Sequence, residues 1–249
     1  MSGQPRFIKE AFPYIKKNLI EYNGNIDVFL HCWFDENEVG KKFPNTSDTT
    51  REQGNGFVES DTISQLKKLY EPISIQVEAQ VDFTNEIKDE YIVARDKTNP
   101  FATFSMWESI KRCNDLKNKY ENENNFVYDA VIRCRYDLKI ESPIKLADIE
   151  ESVLYTSGHN SRTDTVEDIL FYGKSDLINI VSLMTYEFDS NFRKINFWNN
   201  ESLLAVHCQK HGIKINRNSE WKFSLIRGKK TFFDSLWYYK NRIISKIQI

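Results

Sequence analysis

Long apolar runs are missing from this sequence of 249 residues, and its charge is nearly balanced. No stretch approaches the roughly 18 apolar residues that a membrane-spanning helix requires, and the first residues do not form a signal peptide. The formal net charge of -2 argues against nonspecific nucleic-acid binding, which needs a strongly basic face. These absences predict a cytoplasmic protein that has no nucleic-acid partner.

Paired cysteines are missing too. The four cysteines are far apart, without a Cys-x-x-Cys pair and without a recurrent histidine spacing around them. This spacing disfavours a structural zinc site and a disulfide framework. Cys32 and Cys134 both lie in apolar segments, where a free thiol behaves as a small buried hydrophobic group.

Several motifs of well-known enzymes are also lacking. The sequence contains no Gly-x-Gly-x-x-Gly, no Walker phosphate loop, no Gly-x-Ser-x-Gly and no His-Glu-x-x-His. These absences disfavour dinucleotide enzymes, P-loop enzymes, serine hydrolases and zinc proteases. The groups left to carry chemistry are carboxylates and arginines in loops.

Helix and strand patterns alternate along the chain. Residues 7–22, 61–70 and 104–120 carry apolar side chains at helical spacing. Residues 26–33 form a near-continuous apolar run that is typical of a buried strand, and residues 73–77 predict a further strand. Alternation of this kind predicts an α/β fold with a mostly parallel central sheet flanked by helices. We expect one domain over residues 1–221.

The segment of residues 128–137 concentrates charge at the end of a predicted strand. Alternate residues of an extended strand share a face, so Arg133, Arg135 and Asp137 are expected to point the same way. Buried charges must be paired or bound to something ionic. Two interpretations stay open: an internal Arg–Asp ion pair, or a strand that presents ligands to a phosphate and its metal ion.

A second candidate is the acidic pair Glu167 and Asp168, which directly precedes an apolar run. Adjacent acids are common on solvated surfaces, but a carboxylate at a core boundary could act as a general base on an alcohol. Such a base, a metal ion at Asp137 and the cations Arg133 and Arg135 would together suit a reaction in which a hydroxyl displaces a diphosphate leaving group.

Residues 222–249 combine aromatic and basic side chains and predict a C-terminal helical extension. One interpretation is a helix that packs its aromatic face on the domain. The other is a helix that rests on an anionic membrane surface, which would make the protein peripheral at the inner face of a membrane.

These segments together resemble a known family. Ser-Gly-Gln-Pro-Arg-Phe at 2–7, the strand at 26–34, Ser-Met-Trp at 105–107, residues 125–138 with Val-Ile-Arg-Cys-Arg-Tyr-Asp-Leu, and Glu167-Asp168 through Gly173 follow in order. They look like the GT-A-type glycosyltransferases of bacterial surface-polysaccharide clusters and of large DNA viruses. A viral member would be located in the cytoplasm of the host cell. The resemblance spans most of residues 2–215, and the Arg-x-Arg-x-Asp strand is its most specific element.

The resemblance implies an enzyme that moves a sugar from a nucleotide-diphosphate donor to a saccharide or lipid-linked acceptor. It implies Mn²⁺ or Mg²⁺ binding by Asp137 and phosphate compensation by Arg133 and Arg135. It also implies nucleotide contact by Gly3 and Arg6 at the first strand-to-helix turn. Asp168, beside Glu167, would activate the acceptor if the enzyme inverts.

Three departures from the family pattern bear on these expectations. Only Met1 precedes Ser-Gly-Gln, so the first strand is expected to be truncated or missing, and Arg135-Tyr136-Asp137 stands where family members have Asp-x-Asp. Around Glu167-Asp168 relatives more often have Asn-Asp followed by Gln-Phe. Two other functions are kept as alternatives: a nucleotidyltransferase, which would release pyrophosphate, and a noncatalytic glycan-binding or assembly protein.

Overall fold

The computed structural model describes residues 1–43, 56–96, 98–146, 148–158 and 163–227. The helices are α1 (Ile8–Ile15), α2 (Glu21–Asn23), α3 (Thr62–Tyr70), α4 (Asp89–Val93), α5 (Pro100–Asn124), α6 (Ser175–Ser182), α7 (Phe188–Ile195) and α8 (Asn200–Lys210). A π-helical segment, Lys16–Ile20, joins α1 to α2, and short 3₁₀ helices lie at Glu36–Glu38, Thr84–Glu86 and Leu183–Glu187. The strands are β1 (Ser2–Gly3), β2 (Phe29–Trp33), β3 (Ser74–Glu78), β4 (Val131–Arg133), β5 (Leu138–Ile140), β6 (Val153–Ser157), β7 (Phe171–Gly173), β8 (Lys214–Asn218) and β9 (Phe223–Leu225).

The amino-terminal part forms a three-stranded parallel sheet. Strand β2 lies between β1 and β3, with Ser2 opposite His31 and Phe29 opposite Ser74. All five residues of β2 are buried, as its near-continuous apolar sequence predicts. The first strand, expected to be truncated or missing, is present as two residues. The α/β prediction is confirmed, although the parallel sheet is small.

A second sheet has the order β4-β7-β6-β8 and is mixed rather than mostly parallel. Strand β7 pairs antiparallel with both β4 and β6, whereas β6 pairs parallel with β8. Strands β5 and β9 form a separate antiparallel pair. The sheet content is therefore divided among these groups of strands instead of one parallel sheet.

The charged strand predicted up to Asp137 is shorter than expected. Strand β4 ends at Arg133, and the chain then turns, so that Leu138 begins β5 opposite Leu225 of β9. The physical reason is a change of partner, because β4 pairs with β7 whereas β5 pairs with β9. Arg135 and Asp137 thus lie on a turn between two sheets, and strand alternation does not set their orientation.

Helix α5 has clear local signals at both ends. The Asn99 side chain accepts a hydrogen bond from the Phe101 backbone N–H at 2.9 Å, and Pro100 occupies the first helical position. Asn125 ends the helix in the left-handed conformation, with φ of 54°. The predicted helix over 104–120 is confirmed and longer at both ends.

Buried side chains form two main clusters. One surrounds Trp107 and Trp198, both fully buried, between α5, α6, α8 and β7. The other joins α1 and β2 to the turn after β4, where the buried Tyr136 hydroxyl lies 3.0 Å from the His31 carbonyl oxygen. Tyr136 therefore fixes the turn that carries Arg135 and Asp137 against the parallel sheet.

The C-terminal extension does not begin as a helix. Residues Phe223–Leu225 form β9, and Ile226 donates its backbone N–H to the Asp137 carbonyl at 2.8 Å. The rest of the predicted helical extension, residues 228–249, lies outside the described residues. Among the described helices, none has the length and apolar character needed to cross a membrane.

Candidate functional site

Three segments of the chain meet around the carboxylate of Asp137. Arg6 follows β1, and Arg135 and Asp137 follow β4; the Arg6 Nη2 atom lies 3.5 Å from Asp137 Oδ2. Arg227, just after β9, brings its Nη1 atom to 2.7 Å from the same oxygen. Residues that are 131 and 90 positions away in the sequence from Asp137 are thereby brought to one carboxylate.

Arg135 makes the most complete contact with Asp137. Its Nε and Nη2 atoms each donate to one carboxylate oxygen at 2.8 Å, which is the bidentate arrangement that suits a planar guanidinium. The Asp137 side chain is only 3% exposed. Burial alone would raise the pKa of Asp137, but the charges of Arg135, Arg6 and Arg227 outweigh it and hold that pKa well below its usual range.

Arg133 is the most deeply buried arginine of the group. Its Nη1 atom donates to the backbone carbonyl oxygen of Asp168 at 2.5 Å and also to that of Ile169. Its Nε atom has no hydrogen-bond partner among the described residues. Burial, which exceeds the opposing effect of Asp168, lowers the pKa of Arg133 to about 10, so the side chain keeps its charge at neutral pH.

We call Arg6, Arg133, Arg135 and Arg227 the arginine cluster. Among the described residues, its four guanidinium groups lie near two carboxylates, Asp137 and Asp168, so the arginines outnumber these two acids. Burial, followed by repulsion from Arg135 and Arg227, lowers the pKa of Arg6 to about 10 despite Asp137. An anion with two or more negative charges would relieve this repulsion, and guanidinium groups are well suited to bind phosphate oxygens.

Glu167 and Asp168 lie beside this cluster in the loop before β7, and each is 9% exposed. Burial, then repulsion from Asp168 and Glu201, raises the pKa of Glu167 to about 7. Its Oε1 atom has no hydrogen-bond partner within the part of the chain that the structure describes. A buried carboxyl group with a pKa near neutrality and a free oxygen is suited to accept or donate a proton.

Asp168 has more partners than Glu167. Burial raises its pKa, although Arg133, Arg135 and a hydrogen bond from the Asn200 side chain oppose the effect. Asn200 is the first residue of α8, which the Asn199 side chain caps by accepting from the Ser202 N–H at 2.9 Å. Asp168 therefore couples the arginine cluster to the start of α8.

Gly3 ends β1 in a backbone conformation with φ of 111°, which residues other than glycine rarely adopt. A Cβ atom built on Gly3 would meet no atom of the described residues within 4 Å. The backbone at the end of β1 is therefore open to close approach by a ligand. Its predicted contact with a nucleotide stays a prediction.

The residues around Asp137 offer few suitable ligands for the predicted metal ion. Both Asp137 oxygens already accept hydrogen bonds from guanidinium groups, and the surrounding charge is positive. Within the described ranges, the group of three residues close enough to share an ion is Glu187, His207 and His211, which does not include Asp137. Mn²⁺ and Mg²⁺ prefer several oxygen ligands, so the residues present at Asp137 do not fit a protein-held ion.

A cavity of about 290 Å³ borders the cluster only at Arg133. Its other walls come from the amino ends of β2 and β4 and from α5, and they include Phe29, Lys117 and Tyr128. Because Arg6, Arg135, Asp137 and Arg227 are not among the residues that line this cavity, we place the candidate site at the arginine cluster rather than in the cavity.

Of the residues predicted from sequence, the structure brings together Arg6, Arg133, Arg135 and Asp137, with the acidic pair beside Arg133. Arg227 was missed, because it was assigned to the C-terminal helix. The alternation of Phe223, Ser224 and Leu225 is the signal that would have indicated a strand there.

None of the protein-family models matches the chain. No curated protein matches it either.

Proposed function

We propose that the protein is a glycosyltransferase of GT-A-like architecture that uses a nucleotide-diphosphate sugar as donor. The observation that supports this proposal is the arginine cluster, in which three guanidinium groups converge on the buried Asp137 carboxylate with Arg133 beside them. A diphosphate carries negative charge and oxygen acceptors of the kind that guanidinium groups bind. The three-stranded parallel sheet with its flanking helices is consistent with the nucleotide-binding half of such a fold.

In the proposed reaction, the hydroxyl oxygen of the acceptor attacks the anomeric carbon of the donor sugar. The bond between that carbon and the diphosphate oxygen breaks, and its electron pair leaves with the diphosphate. The arginines stabilise the negative charge that develops on the leaving group. The acceptor, by resemblance a saccharide or a lipid-linked saccharide, loses its hydroxyl proton to a carboxylate.

Glu167 suits the role of that base better than Asp168 does, if transfer inverts the configuration. Its pKa of about 7 and its unpartnered Oε1 atom favour proton transfer at neutral pH. Asp168 accepts from Asn200 and lies against Arg133, so we assign it the positioning of the cluster. Both residues were predicted as catalytic, and kinetics of the two amide variants would separate their roles.

Asp137 has a positioning role in this proposal. Its two oxygens hold Arg135, Arg227 and Arg6 in one place, so that the guanidinium groups are oriented before the donor binds. The arginine cluster takes the charge-compensating part that the resemblance assigns to Mn²⁺ or Mg²⁺. Transfer in the presence of EDTA, compared with added Mn²⁺, tests whether an ion is needed.

The direct experiment is an assay of nucleotide-sugar hydrolysis and transfer over a panel of donors. Arg135→Gln and Arg227→Gln should each abolish most of the activity, whereas Arg193→Gln, at an exposed arginine that pairs with Asp189, should keep it. Release of pyrophosphate from a nucleoside triphosphate and a sugar phosphate would favour the nucleotidyltransferase instead. Glycan binding without any nucleotide-sugar turnover would favour the noncatalytic alternative.

A further inference from the structure

Glu187, His207 and His211 converge at the far end of α8 from Asp168. The carboxylate and imidazole atoms that these residues offer all lie within 4.8 Å of one another. Glu187 ends the 3₁₀ helix Leu183–Glu187, whereas His207 is in α8 and His211 directly follows it. Histidines four positions apart on a helix lie on one face, so the sequence itself places both rings toward the same neighbour.

The orientation of His207 is fixed by its second ring nitrogen. Its Nε2 atom lies 3.0 Å from the Ile180 carbonyl oxygen, and because a carbonyl only accepts, Nε2 must carry a hydrogen. The Nδ1 atom then points at Glu187 Oε2, 3.0 Å away. In the neutral ring this places a lone pair against a carboxylate oxygen, and either a proton on Nδ1 or a metal ion between the two atoms makes the contact favourable.

His211 completes the group from the solvent side. Its Nε2 atom lies 3.1 Å from both oxygens of Glu187, and its side chain is 30% exposed, whereas that of His207 is fully buried. Ligand atoms of a tetrahedral zinc ion with bonds of about 2.0–2.1 Å are roughly 3.3 Å apart. The separations of 3.0 and 3.1 Å from the Glu187 oxygens to the two ring nitrogens are close to this value, and the ligand atoms of all three residues lie within 4.8 Å of one another.

We propose that Glu187, His207 and His211 form a binding site for a divalent transition-metal ion, with Zn²⁺ as the preferred occupant and water as a fourth ligand. Two imidazole nitrogens and a carboxylate are a donor set typical of zinc. A metal-binding histidine usually donates its other ring N–H to a carbonyl or carboxylate, as His207 does toward Ile180. Nothing in the proposed transfer reaction uses this site.

Lys210 supplies positive charge near Glu187 when no metal is bound. Its Nζ atom lies 3.2 Å from Glu187 Oε2, and the side chain is 44% exposed, so it can turn toward solvent. It also lies 3.3 Å from the Ser190 hydroxyl, which offers it another partner. Lys210 is therefore a competitor of the metal and not a ligand.

The site would tie the 3₁₀ helix Leu183–Glu187 to the end of α8. His207 is seven residues beyond Asn200, so at 1.5 Å per residue it lies about 10 Å along the helix from the contact with Asp168. A bound ion would thus stabilise the helical part of the domain without contacting the arginine cluster. Its effect should be measurable as metal binding and thermal stability in the absence of any substrate.

The test is titration of the metal-free chain with ZnCl₂ by calorimetry, with Co²⁺ absorption as a second measurement. Wild type should bind one ion per chain, raise its melting temperature and show the visible bands of tetrahedral Co²⁺. Glu187→Gln and His211→Asn should each weaken binding by more than about tenfold, since even residues that only orient a ligand have effects of that size.

Lys210→Gln is the matched control and should bind Zn²⁺ as tightly as wild type or more tightly. His211 is partly exposed, so His211→Asn should fold, and its melting temperature without metal checks this. The proposal would be overturned if wild type bound no stoichiometric Zn²⁺. It would also be overturned if His211→Asn and Glu187→Gln bound the ion as wild type does, which would mean an adventitious ion only.

Discussion

Replacing Asp137 by Asn separates an anchoring role for this carboxylate from a metal-binding one. The amide keeps the shape of the side chain but removes its charge, and its NH₂ group faces guanidinium donors. Arg135 loses a bidentate pair at 2.8 Å and Arg227 a hydrogen bond at 2.7 Å. Arg6, Arg135 and Arg227 would then repel one another without the carboxylate that they share.

The expected decrease in the free energy of unfolding follows from the burial of the Asp137 side chain. Breaking a buried ion pair by removing one partner destabilises by about 3–5 kcal/mol. Asp137 is 3% exposed, but its arginine partners are 17–26% exposed and can recover some hydration. We therefore expect Asp137→Asn to lower the free energy of unfolding by about 3 kcal/mol in urea denaturation.

Pyrophosphate should then rescue the variant. The anion replaces the missing negative charge, so it should raise the melting temperature of Asp137→Asn by more than it raises that of wild type. A ligand at 100 times its Kd stabilises the folded state by about 2.7 kcal/mol. Mn²⁺ alone should change the melting temperatures of the two proteins equally, since any binding at Glu187, His207 and His211 is common to both.

Asp189→Asn is the matched control, because Asp189 also contacts three partners, Lys88, Tyr91 and Arg193, but its side chain is 44% exposed. Exposed ion pairs contribute little to stability. Asp189→Asn should therefore lower the free energy of unfolding by well under half as much as Asp137→Asn does. Equal stability of Asp137→Asn and wild type would refute the anchoring role. Stabilisation of wild type by Mn²⁺ that Asp137→Asn loses would restore the metal-binding interpretation.

Three further predictions concern protons and charge. Glu167→Gln should lower the transfer rate by about 10²–10⁴-fold and abolish the rise of the rate as pH increases through about 7. Because the folded-state pKa of Glu167 is raised, wild type loses stability as pH rises through that pKa. Glu167→Gln should therefore be more stable than wild type at pH 8 but not at pH 4. The depressed pKa of Asp137 contributes stability that is present above its unfolded-state pKa of about 3.9 and is lost as pH falls through the folded-state pKa, so acid denaturation of wild type should have a component that Asp137→Asn lacks. EDTA should leave the transfer rate unchanged if the arginine cluster supplies the charge compensation, and a fall in rate that Mn²⁺ restores would contradict this.

Local sequence patterns were sufficient where an element depends on its own residues. The helical spacing within residues 104–120 predicted α5, and the apolar run at 26–33 predicted β2. Likewise, helix α3 begins one residue after the predicted position, at Thr62. In each case the side chains that the pattern exposes or buries are within the element itself.

Contacts between distant segments could not be predicted in this way. Strand β4 stops at Arg133 because β5 pairs with β9, a partner more than 80 residues further along the chain. The same pairing brings Arg227 to Asp137, which no period in residues 222–249 encodes. Of the two interpretations of the charged segment, the internal Arg–Asp pair is present, and it forms the centre of the proposed anion site.

The cluster of Glu187, His207 and His211 was also missed. Its sequence signal is the spacing of two histidines by four positions, which lie at the end of helix α8, but Glu187 is 20 residues away from His207. The carboxylate reaches the histidines only through the packing of the 3₁₀ helix Leu183–Glu187 on α8.

Calorimetric titration of a panel of nucleotide sugars into wild type and the double variant Arg135→Gln, Arg227→Gln tests the central claim most directly. We predict that at least one donor binds wild type with one ligand per chain, that the double variant loses this binding, and that Arg193→Gln keeps it. If no nucleotide sugar binds wild type, or if a donor binds the double variant equally well, the arginine cluster is not a diphosphate site.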